Sequence, residues 1–191
     1  MSLPPFPAWQ NAASEASFSD PATCAARASK FERTIRRRNL IEYAAGAFVI
    51  VLFTASSAGA AFKGEWLIAL SMALTVVGAV IVLLGLRRRA SNLDRRPEDP
   101  CVLHLRRQYE RQFEALRDVP KWYLGPMIPG LALFYFAVTL GTAEVTGWVE
   151  ALRGIAWPVV AAIGLFGVIA LANWVAARSL RRKIEEIDAL A

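Results

Sequence analysis

Residues 87–121, RRRASNLDRRPEDPCVLHLRRQYERQFEALRDVPK, decide how the rest of the chain is read. The segment is polar and basic, with a pair of long apolar runs on each side: 40–62 and 66–86 before it, 122–143 and 155–177 after it. All 22 Lys and Arg residues lie outside those runs, which hold one charged side chain, Glu42. Each run reaches the roughly 20 residues that cross the hydrocarbon core of a bilayer as a helix. Helices in a soluble core are shorter and alternate with polar faces. The pattern predicts an all-α membrane protein with four transmembrane helices, arranged as two hairpins in a four-helix bundle. Amphipathic cytoplasmic helices are expected before the first and third spans.

Over its 191 residues the chain is 55% hydrophobic with a mean hydropathy of +0.36, yet carries a formal charge of +6. Six basic residues precede the first span, ten lie in the central segment and four follow the last span. Only Lys63 and Arg153 fall in the other two connections. That asymmetry obeys the positive-inside rule at every segment and assigns both termini and the central segment to the cytoplasm. Arg36, Arg37, Arg38, Arg87, Arg88, Arg89, Arg181 and Arg182 are then anchors for lipid headgroups at the span ends.

In chain order, residues 1–20 form a proline-rich tail expected to be disordered. Residues 21–89 make a cytoplasmic helix plus the first hairpin, 90–98 a linker, 99–183 a second helix plus hairpin, and 184–191 a short tail. Asp20-Pro21 and Asp99-Pro100 are helix-start signals, a capping carboxylate followed by proline at the first helical position. The two halves resemble one another: Cys24, Phe31-Glu32-Arg33 and Arg87-Arg88-Arg89 match Cys101, Tyr109-Glu110-Arg111 and Arg181-Arg182-Lys183. A basic run, apolar run and small residues within 36–60 imitate a signal peptide. The long polar leader instead favours an uncleaved signal anchor.

Between the second and third spans, Val102, Leu105, Tyr109, Phe113 and Leu116 recur at intervals of three and four. They mark an apolar helix face, opposite a mixed-charge face with contacts at helical spacing. Held outside the membrane, that face is the candidate for docking a cytoplasmic partner or a second copy of the chain. Cys24 and Cys101, assigned to the cytoplasmic side, are expected to be reduced free thiols.

Arg36-Arg37-Arg38-Asn39-Leu40-Ile41-Glu42-Tyr43 is the most distinctive string. Arg38 and Glu42, four apart at the membrane boundary, suit an ion pair that anchors the span. The string resembles a juxtamembrane pattern of small, uncharacterised bacterial inner-membrane proteins, in which a basic run precedes Asn-Leu and then Glu-Tyr. The resemblance implies a bacterial inner membrane and brings no activity, cofactor or partner with it.

Small residues at Ala161, Gly164, Gly167 and Ala170, ending at Asn173, and a second stripe of Ser71, Thr75, Gly78 and Gly85, suit close helix packing. Glu42, Thr75 and Asn173 are the intramembrane polar residues that a solute path would use. Pro126, Pro129 and Pro158 are expected to shape the first turns of their spans. Cys101 and His104 are too few for a metal site, and no phosphate loop, nucleophile elbow or histidine cluster supports catalysis, a cofactor or nucleic-acid binding. The expected function is therefore non-enzymatic interaction at the inner membrane. A small transporter or channel subunit and a lipid-acting enzyme are the alternatives.

Overall fold

A computed structural model describes residues 21–94 and 100–189. The described chain is helical: α1 (Pro21–Phe62), α2 (Trp66–Arg89), α3 (Cys101–Arg117), α4 (Ile128–Thr146) and α5 (Trp148–Asp188). A π-helical turn, Pro120–Leu124, and a 3-10 turn, Gly125–Met127, lead from α3 into α4. Four helical stretches are long and apolar enough to span a membrane: Thr23–Phe62, Trp66–Arg89, Pro120–Thr146 and Trp148–Asp188. The proline-rich tail, both Asp-Pro aspartates and the last two residues lie outside the described residues.

α1 runs without interruption from polar sequence into its apolar half because nothing between Pro21 and Phe62 breaks it. It ends at a tight turn where Gly64 takes a positive φ of 79°, a conformation that favours glycine. Gly147, at φ 87°, makes the equally short break between α4 and α5. The helix of the last span consequently begins at Trp148 instead of near residue 155. Pro158 sits inside α5 and not in its first turn. Its carbonyl accepts a hydrogen bond from the Tyr135 hydroxyl of α4 at 3.1 Å.

The long helices pack in the order α1 on α2, α2 on α4 and α4 on α5. Among the described residues α1 and α5 have no extensive contact with one another. α3 packs between the amino-terminal half of α1 and the carboxyl-terminal end of α5. Cys24–Cys101, Phe31–Tyr109 and Arg38–Gln112 contacts show that α3 runs parallel to α1. Lys183–Tyr109 and Asp188–Arg106 contacts show that it runs antiparallel to α5.

One of the two small-residue stripes packs and the other does not. On α2, a Cβ added at Gly78 would collide with the Pro126 carbonyl, and one at Gly85 would meet the Trp122 ring at 2.8 Å. Thr75 is buried against Gly130 of α4, with its hydroxyl donated to Ser71 O at 2.9 Å. On α5, Gly164 and Gly167 face open space, against the expectation of close packing within the chain. Asn173 likewise makes no bond across to another helix through its amide nitrogen, which donates to Ile169 O of its own helix at 2.8 Å.

Candidate functional site

The apolar face expected to dock a partner is largely occupied within the chain. Leu105 and Tyr109 are buried together with Ala28 of α1 and Leu180 of α5, and Phe31, Phe113, Leu116, Ile184 and Ile187 pack around them. The Phe31 and Tyr109 rings meet edge to face, 4.7 Å between centroids. Burial pushes the Tyr109 phenol above its ordinary pKa, an effect that Arg27 opposes and Glu186 adds to. Of the five predicted docking residues only Val102 is exposed. Most of the stripe expected to dock a partner is thus covered by two helices of the same chain, as the gain from burying apolar surface favours.

The cysteines are corrected as well. Cys24 and Cys101 form a disulfide with a Cα–Cα separation of 6.3 Å, in place of the two free thiols expected. Parallel packing brings the first turns of α1 and α3 side by side, within the range that a cystine bridges. His104, three residues on, meets Glu32 Oε1 at 3.1 Å. Cys101 and His104 are thus engaged with separate partners on α1.

Sequence reasoning missed a second face of α3. His104, Gln108 and Gln112 are buried at one-turn spacing, a polar seam that ties α1 to the segment after α2. Gln108 accepts from Leu93 N at 2.9 Å and donates to Asn92 Oδ1 at 2.8 Å, and Asn92 donates to Glu32 O. Gln112 donates to Ala90 O at 3.0 Å and accepts from Arg38 Nη2 at 3.1 Å. Asn39 donates to the same Ala90 carbonyl at 2.8 Å. Arg111 caps the end of α2 through Arg88 O at 2.8 Å, where a cation also opposes the negative end of the helix dipole.

Below this seam lies a cavity of about 200 Å³ at the boundary between the polar layer and the spans. Arg38 and Glu42 of α1, Trp122 and Tyr123 of the π-helical turn, Leu116 of α3 and Asn173 of α5 all line it. A second cavity of about 140 Å³ adjoins it, sharing Glu42, Leu86 and Tyr123 and continuing between Gly46, Val49, Val82 and Met127. The first mixes the charged and polar side chains of Arg38, Glu42 and Asn173 with apolar ones; the second, Glu42 and Tyr123 apart, is lined by apolar side chains.

Within the polar chamber the Arg38 guanidinium is held from one side. Its Nη2 donates to Gln112 Oε1 and to Asn39 Oδ1, while Nε is buried with no hydrogen-bond partner among the described residues. Glu42 Oε1 stands 3.6 Å from Nε, an ion pair beyond hydrogen-bond length. Trp122 is fixed by its indole N–H to Ala115 O at 2.9 Å, and its ring lies edge to face with Tyr123 at 5.6 Å.

The cavity joins two of the three predicted intramembrane polar residues, Glu42 and Asn173, and leaves Thr75 apart in the α2–α4 contact. Of the predicted headgroup anchors, Arg36, Arg37, Arg87, Arg88, Arg89, Arg181 and Arg182 are exposed, whereas Arg38 turns inward. No family model, curated protein or solved structure matches the chain.

Proposed function

We propose that the chain is a non-enzymatic, multi-pass protein of the bacterial inner membrane that binds a membrane amphiphile at its cytoplasmic boundary. Twenty basic residues in three segments against two in the other connections support cytoplasmic termini and two transmembrane hairpins. The single observation that carries the binding reading is the pair of adjoining cavities that share Glu42, one polar and one apolar. A small ion would need only the first; a molecule with a charged head and a chain fits both. Together they reach about the lower end of ligand-pocket volumes, roughly 300 Å³. Among the described residues the first chamber offers one carboxylate, Glu42, and one guanidinium, Arg38, a pair suited to holding a charged group.

The test is native mass spectrometry of the full chain released from membranes in mild detergent, compared with Ala45→Phe and Val49→Phe, which fill the apolar chamber. Retained phospholipid on the wild type and its loss from both variants is the expected result. Equal retention by all three would refute the reading.

A transporter or channel subunit is the second reading, favoured by one observation: the polar cavity reaches Asn173. The close α2–α4 contact at Thr75 weighs against a continuous path. Docking of a cytoplasmic partner or a second copy on α3 keeps only the exposed margin at Val102 and Leu103.

A further inference from the structure

The charges in the polar chamber narrow the class of headgroup. Arg38 is preorganised: Gln112 and Asn39 both accept from its Nη2, and each is itself tied to Ala90 O. A guanidinium oriented before the ligand arrives loses little freedom on binding. Its Nε–H is buried and without a hydrogen-bond partner among the described residues, while the side chain as a whole is about one-third exposed and lines the chamber. A phosphate in the chamber would meet a guanidinium already held in place, the charge-assisted pairing that such groups favour.

Glu42 opposes any purely anionic ligand, because its carboxylate lies 3.6 Å from the same Nε. A second negative group without a balancing cation would meet like charge at the membrane boundary, where charges are weakly screened. A purely cationic amphiphile meets the converse problem at Arg38. A headgroup carrying both signs satisfies both residues. The cation also has to be compact and able to donate, since a primary ammonium offers three N–H donors to a carboxylate and a quaternary one offers none.

We propose, resting on the amphiphile-binding reading, that the site takes a zwitterionic aminophospholipid: its phosphate on Arg38, its primary ammonium on Glu42, and an acyl chain in the chamber between Gly46, Val49, Val82 and Met127. Trp122 and Tyr123 form the aromatic wall beside the headgroup, at the depth where such rings are favoured. The phosphate–ammonium chemistry is shared with water-soluble phosphoamines; the apolar chamber assigns the ligand to the lipid.

The experiment uses the full chain, delipidated in detergent and titrated in native mass spectrometry with phosphatidylethanolamine, phosphatidylglycerol, phosphatidylcholine and soluble glycerophosphoethanolamine. Phosphatidylethanolamine is expected to bind about tenfold more tightly than the other two lipids, the scale of one charge-assisted hydrogen bond. Glu42→Gln removes that preference and leaves residual phospholipid binding. Arg38→Lys, which keeps the charge and loses the fork, weakens all three lipids. Circular dichroism of each variant establishes that it is folded, and Arg153→Gln, in the second turn of α5 and away from the chamber, serves as the unchanged control.

Equal binding of the three lipids by the wild type, or an unaltered preference in Glu42→Gln, overturns the headgroup assignment while amphiphile binding stands. Phosphatidylcholine binding as tightly as phosphatidylethanolamine would place the cation on the aromatic wall instead of Glu42. Glycerophosphoethanolamine binding as tightly as the lipid overturns the lipid source. Retention of no phospholipid at all defeats both the assignment and the reading on which it rests.

Discussion

Gln108 and Gln112 are the same residue type, one turn apart on α3 and each 1% exposed, yet their removal should cost different amounts. Gln108→Leu keeps the volume but leaves Leu93 N–H and Asn92 Oδ1 without the partners they now have. An orphaned, partly buried amide costs about 1–3 kcal/mol, so the pair should cost roughly 2–3 kcal/mol with some relief from water. Gln112→Leu removes two bonds whose other ends are provided for. Ala90 O still accepts from Asn39, and Arg38 Nη2 still donates to Asn39 Oδ1 beside a cavity wide enough for water. About 1 kcal/mol is expected there. For a chain of this length each kcal/mol moves Tm by about 2–4 °C, so the losses are roughly 4–12 °C and 2–4 °C. Thermal unfolding in detergent measures both, and hydrogen exchange at Leu93 locates the effect: its amide should lose protection in Gln108→Leu alone. A Gln112→Leu loss equal to or larger than that of Gln108→Leu would refute this accounting of shared acceptors.

Other outcomes follow from the same contacts. Gly130→Val should separate α2 from α4, because even a Cβ there overlaps Thr75, at about 1–3 kcal/mol; Gly164→Ala and Gly167→Ala, in open space within α5, should not lower the melting temperature and should raise it slightly, since alanine is the better helix former. After mild oxidation of membranes, maleimide under denaturing conditions should modify neither Cys24 nor Cys101 until a reductant is added, and Cys24→Ser should leave Cys101 open to the reagent; labelling of both after oxidation would break the α1–α3 staple. Because burial raises the Tyr109 pKa, the neutral phenol is the form the fold favours. Its stabilisation is full below the unfolded value of about 10 and is lost as pH rises through the folded one. Melting in strong alkali should therefore fall further for the wild type than for Tyr109→Phe.

The spans, their number and the apolar spacing of α3 were legible because hydrophobic length and period are local properties of the chain. Arg38 with Glu42 was legible as an ion pair for the same reason, at one-turn spacing. The cavity was not, since it needs Trp122, Tyr123 and Asn173 to arrive from elements more than 70 residues away in sequence. The seam of His104, Gln108 and Gln112 was hidden because polar residues on a charged helix read as a solvated face; burial becomes apparent only when residues 90–93 fold back over them. Redox compartment argued for free thiols, but compartment says nothing about distance, and the parallel run of α1 and α3 places Cys24 against Cys101. The spacing of the α3 face called for a cover without saying what supplies it. Tyr109 on Phe31 and Leu105 beside Leu180 show that the chain supplies the cover.

The central claim, that the adjoining cavities at Glu42 hold a lipid, is tested most directly by fluorescence of Trp122, which lines the polar chamber. In a variant that keeps Trp122 and replaces the other five tryptophans with phenylalanine, brominated phosphatidylethanolamine is added stepwise to vesicles of unbrominated lipid. The account predicts quenching that saturates while the brominated lipid is still a small fraction of the bilayer, and loss of that phase when Val49→Phe fills the neighbouring chamber. Quenching that only tracks the bulk fraction of brominated lipid, and is the same with and without Val49→Phe, would contradict it.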